Sequence, residues 1–388
     1  MADMRPHRLR LLTGVLICCC LSFTAGVSVY RLRGELLPGA HSGPLEVRVL
    51  REAWEQIDSH FYGSPPSAEV RTRGAIERSM QLLDPHTRIV APVARELEQD
   101  QMRGTHGGIG VTLWRDGQGR MAMDPSAGSP AERAGIRKGD VLLAVDGQEV
   151  RARMTVTTVA AQLHGEPGSR LELEILRPPE GILRLALRRE EIQVPSVTWH
   201  LETPSIGYVR VMGFTERTAE ELETALRALE VAQVSGLVLD LRGNRGGLLT
   251  AAVAVAGRFL EKGDVVLHQV GRAQERTFRV QRGGDGSLDL VVLVDHDTAS
   301  AAEIVAGAVQ DHRRACLLGE PTFGKGSVQE LYDLSDGSSL HVTAAIWLTP
   351  DRQRIDQQGL TPDIVVQRSD GLGDHQLKRA MESLEAES

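Results

Sequence analysis

The spacing of hydrophobic residues changes three times along this chain, and each spacing predicts a different kind of element. Residues 11–30 form a charge-free, largely apolar run of 20 residues, the length of a membrane-spanning helix or of a secretory signal. Between residues 45 and 104 the apolar positions recur every three or four residues, which predicts amphipathic helices. From residue 196 onward short apolar runs alternate with helix-spaced segments, which predicts an α/β sheet.

The first apolar run has basic residues on both sides. Three arginines precede it, and this positive flank predicts that the N-terminus stays in the cytoplasm while the rest is exported. Arg31 and Arg33 follow at once, without a convincing Ala-x-Ala cleavage site. We therefore favour an uncleaved membrane anchor in residues 1–34 over a secretory signal. Either interpretation places the remainder in a periplasmic or other extracytoplasmic compartment.

A strand, a turn and a helix are predicted in succession near the middle of the last third of the chain. Residues 290–294 are apolar and strand-like, residues 295–300 are small or polar, and residues 301–311 have helix spacing. This geometry lifts a serine hydroxyl clear of a sheet and places it beside the N–H groups of a helix start. Ser300 stands at that junction, and Lys325 follows in a glycine-rich loop.

These residues resemble the carboxyl-terminal processing proteases, which are Ser–Lys serine endopeptidases. The family's Ser-Ala-Ser-Ala-Ser-Glu-type segment corresponds to residues 298–303, with Ser300 as its middle serine. Its Gly-Glu-Pro-Thr-Phe-Gly-Lys-Gly segment corresponds to residues 319–326, and Gln329 follows Lys325 by four positions. The resemblance implies that Ser300 is the nucleophile, Lys325 its base and Gln329 the residue that orients the lysine.

The chemistry sets a condition on the lysine. A serine hydroxyl needs a base within about 3 Å, and a lysine can be that base only when its pKa falls from about 10.4 toward about 7–8. Burial lowers a lysine pKa, because desolvation disfavours the ammonium form. We expect residues 315–318 and Phe323 to contribute to this burial, and the neutral amide oxygen of Gln329 to hold the amine.

A second apolar strand, residues 236–241, opens into Arg-Gly-Asn-Arg-Gly-Gly at residues 242–247. This resembles the family's Asp-Leu-Arg-x-Asn-Pro-Gly-Gly segment, with Arg245 in place of proline. The resemblance implies an oxyanion hole formed by the N–H groups of Gly246 and Ala301. The simpler alternative is a strand-to-helix turn whose glycines supply positive φ angles.

Residues 107–187 resemble a PDZ domain. The residues that match its carboxylate-binding loop are Gly108, Ile109, Gly110 and Val111. Glycines in such a loop let N–H groups converge on a terminal carboxylate while the bound peptide adds a strand to the sheet. His164 stands where relatives often carry arginine. If that arginine couples peptide binding to activation, the coupling is lost here or becomes pH-sensitive.

The predicted fold is a multidomain α/β protein in which a PDZ domain is inserted before an α/β serine-protease core. The expected segments are a membrane segment (1–34), a helical N-terminal region (35–103), the PDZ domain (104–190), the catalytic core (191–370) and a polar tail (371–388). Three local expectations complete this picture. Residues 218–229 form a helix capped by Thr218 and Glu221, residues 337–343 and 346–350 form paired strands, and the tail frays or forms a short helix.

Composition excludes several classes of protein. Hydrophobic residues make up 41% and charged residues 25% of the chain, which is ordinary for globular proteins. Aromatic residues are only 4%, so the core must consist of Val, Leu, Ile and Ala. A net charge of −8 argues against a nucleic-acid partner. Cys316 is the single cysteine beyond residue 34, so no intramolecular disulfide is expected there.

Two alternatives remain open at this stage. The serine could instead belong to a triad with His296, His312 or His341 and an acid such as Asp240, although His296 is expected to face solvent. The protein could also be a PDZ adaptor on a catalytically silent scaffold. The departures from the family pattern that leave this second alternative open are Thr298, Ala302, Arg245 and His164.

We therefore predict an exported or membrane-anchored serine endopeptidase that captures protein C-termini and cleaves them by a Ser–Lys mechanism. Its expected partners are C-terminal segments of substrate proteins, the membrane through the N-terminal segment, and an activating or adaptor protein. No H-E-x-x-H motif or Cys/His cluster occurs in the sequence, so neither a metal nor a cofactor is expected.

Overall fold

The computed structural model describes residues 47–284, 286–368 and 373–387. The chain divides into two compact units, the first of which ends at Thr72. The expected membrane segment, residues 1–34, lies outside the described residues. Among the helices of the described ranges, none is long and apolar enough to cross a membrane.

The first unit contains helix α1 (Val47–His60) and the start of helix α2 (Ala68–Met80). Both follow the predicted helix-spaced pattern. Arg71 binds Asp58 at 2.8 Å, and its guanidinium lies 4.9 Å from the centroid of the Trp54 ring.

The second unit begins within α2 and continues through strand β1 (Arg88–Val90) and helix α3 (Pro92–Arg103). The expectation of an entirely helical region at residues 35–103 was wrong at β1. This short strand forms because it pairs with a strand more than 240 residues later in the chain. The turn before it is fixed by the Asp84 carboxylate, which accepts the N–H groups of His86 and Thr87.

The PDZ region is an antiparallel sheet with two helices. Its elements are β2 (Thr105–Gly108), β3 (Val111–Arg115), β4 (Met121–Pro125), α4 (Pro130–Arg133), β5 (Asp140–Val145), β6 (Gln148–Glu149), α5 (Val156–Leu163), β7 (Arg170–Arg177), β8 (Gly181–Arg188) and β9 (Glu190–Gln193). The strand order is β3-β4-β5-β7-β8, with β6 on β5, so β3 is an edge strand. Strands β2 and β9 pair with each other in a separate ribbon. Ser129 caps α4, because its hydroxyl accepts the Glu132 N–H.

The catalytic region is an α/β structure with two sheets. Its elements are β10 (Val197–Leu201), β11 (Ile206–Val211), α6 (Thr218–Val231), β12 (Gly236–Asp240), α7 (Leu249–Ala256), β13 (Val265–Gly271), β14 (Glu275–Arg279), β15 (Asp289–Val294), α8 (Ala301–Asp311), β16 (Cys316–Gly319), β17 (Ser327–Asp333), β18 (Ser339–Leu348), β19 (Ile364–Val365) and α9 (His375–Glu387). The first sheet has the order β10-β11-β12-β15-β16-β19 and is parallel except for β10. The second has the order β1-β18-β13-β14, with β17 on β18.

Both faces of the parallel sheet are buried. On β15, Val292 and Val294 face a large core that α6, α7 and α8 complete, whereas Val291 and Leu293 face a smaller cluster completed by α9. Alternate residues of a strand point to opposite faces, so a strand covered on both sides is apolar throughout. As predicted, this core consists mainly of Val, Leu, Ile and Ala.

Three local expectations need correction. The C-terminal tail forms a helix, α9, which is one of the two outcomes expected for it. Its purely polar character was wrong, because α9 buries Ala380 and Leu384 against the second face of the sheet. The cap of α6 is not a Thr218–Glu221 box: the Thr218 hydroxyl accepts the Thr215 N–H, and the helix begins after Arg217 without a side-chain cap.

The third correction concerns the strands expected at residues 337–343 and 346–350. They form one continuous strand, β18, which pairs with β17, β13 and β1 along its length. Pairing with these strands keeps the backbone extended between residues 343 and 346, where the two expected strands would have been separated.

Removing one α9 side chain should therefore destabilise the whole catalytic region. Leu384 is 1% exposed, and we expect Leu384→Ala to lower the free energy of unfolding by about 2–5 kcal/mol. The control is Val231→Ala at the end of α6, where the side chain is 85% exposed and the change should stay within about 0.5 kcal/mol. Denaturant unfolding measures both. Equal effects would show that α9 does not contribute to the core.

Candidate active site

Three loops meet at one edge of the parallel sheet. They follow the neighbouring strands β12, β15 and β16 and comprise residues 241–248, 295–300 and 320–326. The carboxyl ends of parallel strands meet at the same edge, where α/β proteins form their sites. The three motifs that the sequence singled out are these three loops.

Backbone hydrogen bonds join the loops in pairs. The Ala299 N–H donates to the Asn244 carbonyl at 2.9 Å, and the Phe323 N–H donates to the Thr298 carbonyl at 3.0 Å. The Asp295 carboxylate accepts the N–H of Thr298 within its own turn. These bonds therefore hold the three motifs, which are far apart along the chain, at fixed distances from one another.

Ser300 occupies the predicted junction between strand and helix. Its φ of 59° and ψ of −121° lie in a region that non-glycine residues rarely adopt. The residue is 9% exposed, and α8 begins at the next position, Ala301. The predicted strand, turn and helix are thus confirmed as structural elements.

The two predicted oxyanion donors flank this serine. Gly246 has a φ of +99°, and a Cβ built there would lie 2.7 Å from the Ser300 Cβ, so only glycine fits. Its N–H donates to the Asn244 Oδ1 at 2.9 Å. The Ala301 N–H, by contrast, has no hydrogen-bond partner among the described residues.

Lys325 is half-buried in the loop after β16. Burial lowers the pKa of its amine, the nearby Arg88 charge lowers the pKa further, and Glu98 opposes both. Its carbonyl accepts the indole N–H of Trp347 at 3.1 Å. Within the part of the chain that the structure describes, no hydrogen bond joins Lys325 Nζ to the Ser300 hydroxyl.

Charged residues that no sequence pattern places near this lysine surround it. Arg88 donates to Glu98 at 2.8 Å, and His341 lies 3.6 Å from the same carboxylate. They come together because β1 pairs with β18, with Arg88 opposite His341. Phe323, expected to help bury the amine, is 60% exposed.

Gln329 lies on β17 with its amide held on one side. The Nε2 group donates to the Ser327 hydroxyl at 3.0 Å and to Thr343 Oγ1 at 3.4 Å. Thr343 Oγ1 in turn donates to Asp84 Oδ1 at 3.0 Å. Since that hydroxyl has a single hydrogen, the amide must present its NH2 group to it. The Oε1 atom of Gln329 is left on the opposite side.

The histidine alternatives find little support in the geometry. His296 is 67% exposed at its side chain, as expected, and lies near Asp297 and Glu320. The His312 ring contacts the Val265 carbonyl. Asp240 is committed elsewhere, because its carboxylate binds the Arg242 guanidinium and the Tyr208 hydroxyl. His341 is buried beside Glu98 rather than Asp240.

The PDZ region presents the features that a bound C-terminus needs. The carbonyls of Ile109 and Gly110 accept the N–H groups of Ala131 and Ser126, which holds the loop in place. The N–H groups of Ile109 and Gly110 have no partner in the described ranges. The following strand, β3, from Val111, is a free edge, as strand addition requires.

His164 ends α5 and stacks on His106 of β2, with ring centroids 4.6 Å apart and planes 24° apart. Burial lowers the pKa of both rings. The Arg189 charge lowers the pKa of His164 further, and Asp100 opposes the shift in both. An arginine at residue 164 would carry a permanent charge, whereas the surroundings of this stacked pair lower the pKa of both rings and so disfavour their charged forms.

Parts of this chain match known protein families, and most of its length matches known proteins. Residues 205–366 match the model of peptidase family S41, and residues 122–177 match a PDZ domain. The carboxy-terminal processing protease CtpA of Bacillus subtilis is 32% identical over 333 residues, which cover 85% of this chain and 71% of the relative. A carboxy-terminal-processing protease of Bartonella bacilliformis is 34% identical over 325 residues, covering 82% and 74%. The solved photosystem II D1 C-terminal processing protease is 31% identical with a TM-score of 0.49, covering 82% of this chain and 92% of that one.

A PDZ domain followed by an S41 core defines a serine-type peptidase. The chain belongs to the carboxyl-terminal processing proteases.

The stacked histidines generate a prediction about pH. Because the pKa of both rings is lowered in the folded chain, the unfolded chain takes up protons first as the pH falls below about 6.5. Stability is therefore highest above that pH and is lost on acidification. We expect the wild type to lose more thermal stability between about pH 7.5 and about pH 5.5 than the variant His106→Gln/His164→Gln. Replacement of the exposed His296 by Gln is the control. Identical pH dependence in all three proteins would contradict this account.

Proposed function

We propose that this protein is an exported or membrane-anchored serine endopeptidase that captures protein C-termini through its PDZ domain and cleaves them by a Ser–Lys mechanism. The observation that carries the proposal is the lowered pKa of Lys325 in a loop bonded directly to the Ser300 turn. A lysine can accept a proton from serine at neutral pH only when its pKa is lowered in this way.

In the proposed cycle, the neutral Lys325 amine takes the proton of the Ser300 hydroxyl as the oxygen attacks the peptide carbonyl. The amine then returns this proton to the leaving nitrogen, and water hydrolyses the acyl-enzyme. The unpaired Ala301 N–H supports its assignment to the oxyanion hole. The Gly246 N–H donates to the Asn244 Oδ1 in this structure, and in the reaction it would donate to the oxyanion instead. Catalytic hydrogen bonds that are absent from a ligand-free structure commonly form in the substrate complex.

Gln329 is assigned as the residue that orients the lysine. Its NH2 group is bound to hydroxyls that end at Asp84, which leaves the amide oxygen to accept the amine. A carboxylate at this position would stabilise the protonated form of the amine. The neutral amide oxygen fixes the amine without that effect.

Substrate capture is assigned to the loop Gly108, Ile109, Gly110 and Val111. The unpaired N–H groups of Ile109 and Gly110 support carboxylate binding, and the β3 edge supports strand addition by the residues before it. The export and anchoring of the protein rest on the apolar run and basic flank of residues 1–34. A PDZ domain joined to a protease core also suits control by an activating or adaptor protein.

A silent adaptor is not favoured, because the departures from the family pattern have structural roles that leave the site intact. The Thr298 hydroxyl is buried and donates to the Leu241 carbonyl, which joins two of the site loops. Ala302 is fully buried in the core. Arg245 is exposed and pairs with Asp297 at 3.0 Å.

The Ser–Lys assignment is tested by Lys325→Ala. We expect cleavage of a peptide substrate to fall by about 10³-fold or more, because the serine loses its base. Activity of the wild type should rise with pH through a pKa below the ordinary lysine value of about 10.4. Steady-state kinetics and circular dichroism provide the measurements.

The matched control is Lys262→Ala, which removes an exposed lysine and should leave the kinetics unchanged. Full activity in Lys325→Ala, together with loss in His341→Gln, would replace the Ser–Lys mechanism by a histidine mechanism.

Peptide capture is tested by Gly110→Ala. A Cβ at Gly110 would lie 2.5 Å from the Ser129 Cβ, on a residue with a φ of +69°, so the loop must move. We expect binding of a labelled C-terminal peptide to weaken by about tenfold or more. Gly119→Ala is the matched control, since its φ is +75° but nothing lies within 4 Å of the added Cβ. Fluorescence anisotropy should separate the two, and equal affinities would place the carboxylate site elsewhere.

A further inference from the structure

One buried carboxylate joins the Ser300 turn to the Lys325 loop. Glu303 is 0% exposed and accepts four hydrogen bonds. Its Oε2 atom accepts the N–H of Ser300 at 2.8 Å and the N–H of Lys325 at 2.9 Å. Its Oε1 atom accepts the Thr322 hydroxyl at 2.6 Å and the Gly324 N–H at 2.7 Å.

We propose that Glu303 is a positioning residue, whose ionised carboxylate sets the separation of the nucleophile and its base by binding both backbones through a single oxygen. This inference rests on the proposed Ser–Lys function. It assigns to the chain a further residue on which the reaction depends, one that touches neither substrate nor reacting atoms.

Helix capping accounts for only one of the four bonds. A glutamate at the third helical position commonly accepts the N–H of the capping residue, which here is Ser300. The other three donors, Thr322, Gly324 and Lys325, all belong to the loop after β16. The carboxylate therefore works as a link between two loops as well as a cap.

Burial raises the pKa of the Glu303 carboxyl, and each of the four donors works against that shift. The donor set therefore favours the ionised form. A carboxylate without its proton offers about four acceptor positions, and here four donors fill them. A protonated acid would direct its own O–H at one of these donors. Within the described part of the chain, Glu303 forms no ion pair, so the N–H groups and the start of α8 stabilise the charge.

The bond to Ser300 acts on a strained residue. A backbone with a φ of 59° and a ψ of −121° persists only where surrounding contacts hold it. Without the Glu303 acceptor, the serine can relax toward a commoner conformation. Relaxation would move the Ser300 hydroxyl and the Ala301 N–H together, away from Lys325. The Phe323–Thr298 backbone bond lies two residues before Lys325 and two residues before Ser300, so it does not hold the Ser300 backbone itself.

The test is Glu303→Gln, which keeps the shape but replaces one acceptor oxygen by an NH2 group. We expect kcat for peptide cleavage to fall by about 100-fold, because a displacement of about 1 Å in a reacting group has this effect. KM should stay within about two-fold of the wild-type value, since the PDZ and peptide contacts are unchanged. Labelling of Ser300 by a serine-directed fluorophosphonate should slow by the same factor as kcat.

The matched control is Glu221→Gln. Glu221 is also a helical carboxylate that accepts backbone N–H groups, from Ser196 and Val197, but it lies outside the site loops. Both variants are compared at a temperature well below their unfolding transitions. A folded Glu303→Gln with wild-type kcat would overturn the proposal, as would equal losses of kcat in Glu303→Gln and Glu221→Gln.

A second variant covers the case in which Glu303→Gln does not fold. Thr322→Val removes one donor from the carboxylate, and we expect kcat to fall by about tenfold at unchanged KM, the effect of one hydrogen bond to a charged group. Thr322→Ser keeps the donor and should restore the wild-type kcat. Equal kcat in Thr322→Val and wild type would contradict the positioning role.

Failure of the inference and failure of the proposed function can be told apart in the same assay. An inactive Lys325→Ala with a fully active Glu303→Gln refutes only the positioning role. A fully active Lys325→Ala refutes the Ser–Lys mechanism, and the positioning role with it, whatever the Glu303 variants show.

Discussion

The chemistry proposed for this site depends on the cost of keeping an ammonium ion out of water. Lys325 can act as a base only where that cost is high enough to lower its pKa toward neutrality. Burial supplies most of this effect and Arg88 adds to it, while Glu98 works against both. Burial of the amine therefore lowers its pKa by more than the nearby Glu98 carboxylate raises it. Any movement that admits water, or brings Glu98 closer, would raise the pKa of the lysine again.

The fold meets this demand by placing three loops at one edge of a rigid sheet. Strands β12, β15 and β16 are covered by apolar side chains on both faces, and their carboxyl ends therefore have little freedom. Backbone bonds and the buried Glu303 carboxylate then fix the loops to one another. Gly246 lets two of the loops approach so closely that any side chain there would meet Ser300. Strain at the serine is held in place by this framework.

The sequence predicted those parts of the site whose signals are local. The apolar run before Ser300 and the helix spacing after it define β15 and α8 closely. The errors arose where distant residues decide the structure. Glu221 bonds to residues 196 and 197 instead of capping its own helix, and β18 is continuous because three other strands hold it. The composition of the tail predicts a polar segment, whereas apolar residues at helix spacing within it, such as Ala380 and Leu384, mark a buried face. The charged residues around Lys325 come together through the β1–β18 pairing, and no local pattern in the sequence predicts that pairing.

The most direct test of this account is the titration of Lys325 itself. The chain has four lysines, at residues 138, 262, 325 and 378, so nuclear magnetic resonance of protein labelled at the lysine side chains gives few signals, and Lys325→Arg identifies the one in question. We predict that the Lys325 amine titrates well below the ordinary lysine value of about 10.4. Titration of the Lys325 signal at or above that ordinary value would contradict the account.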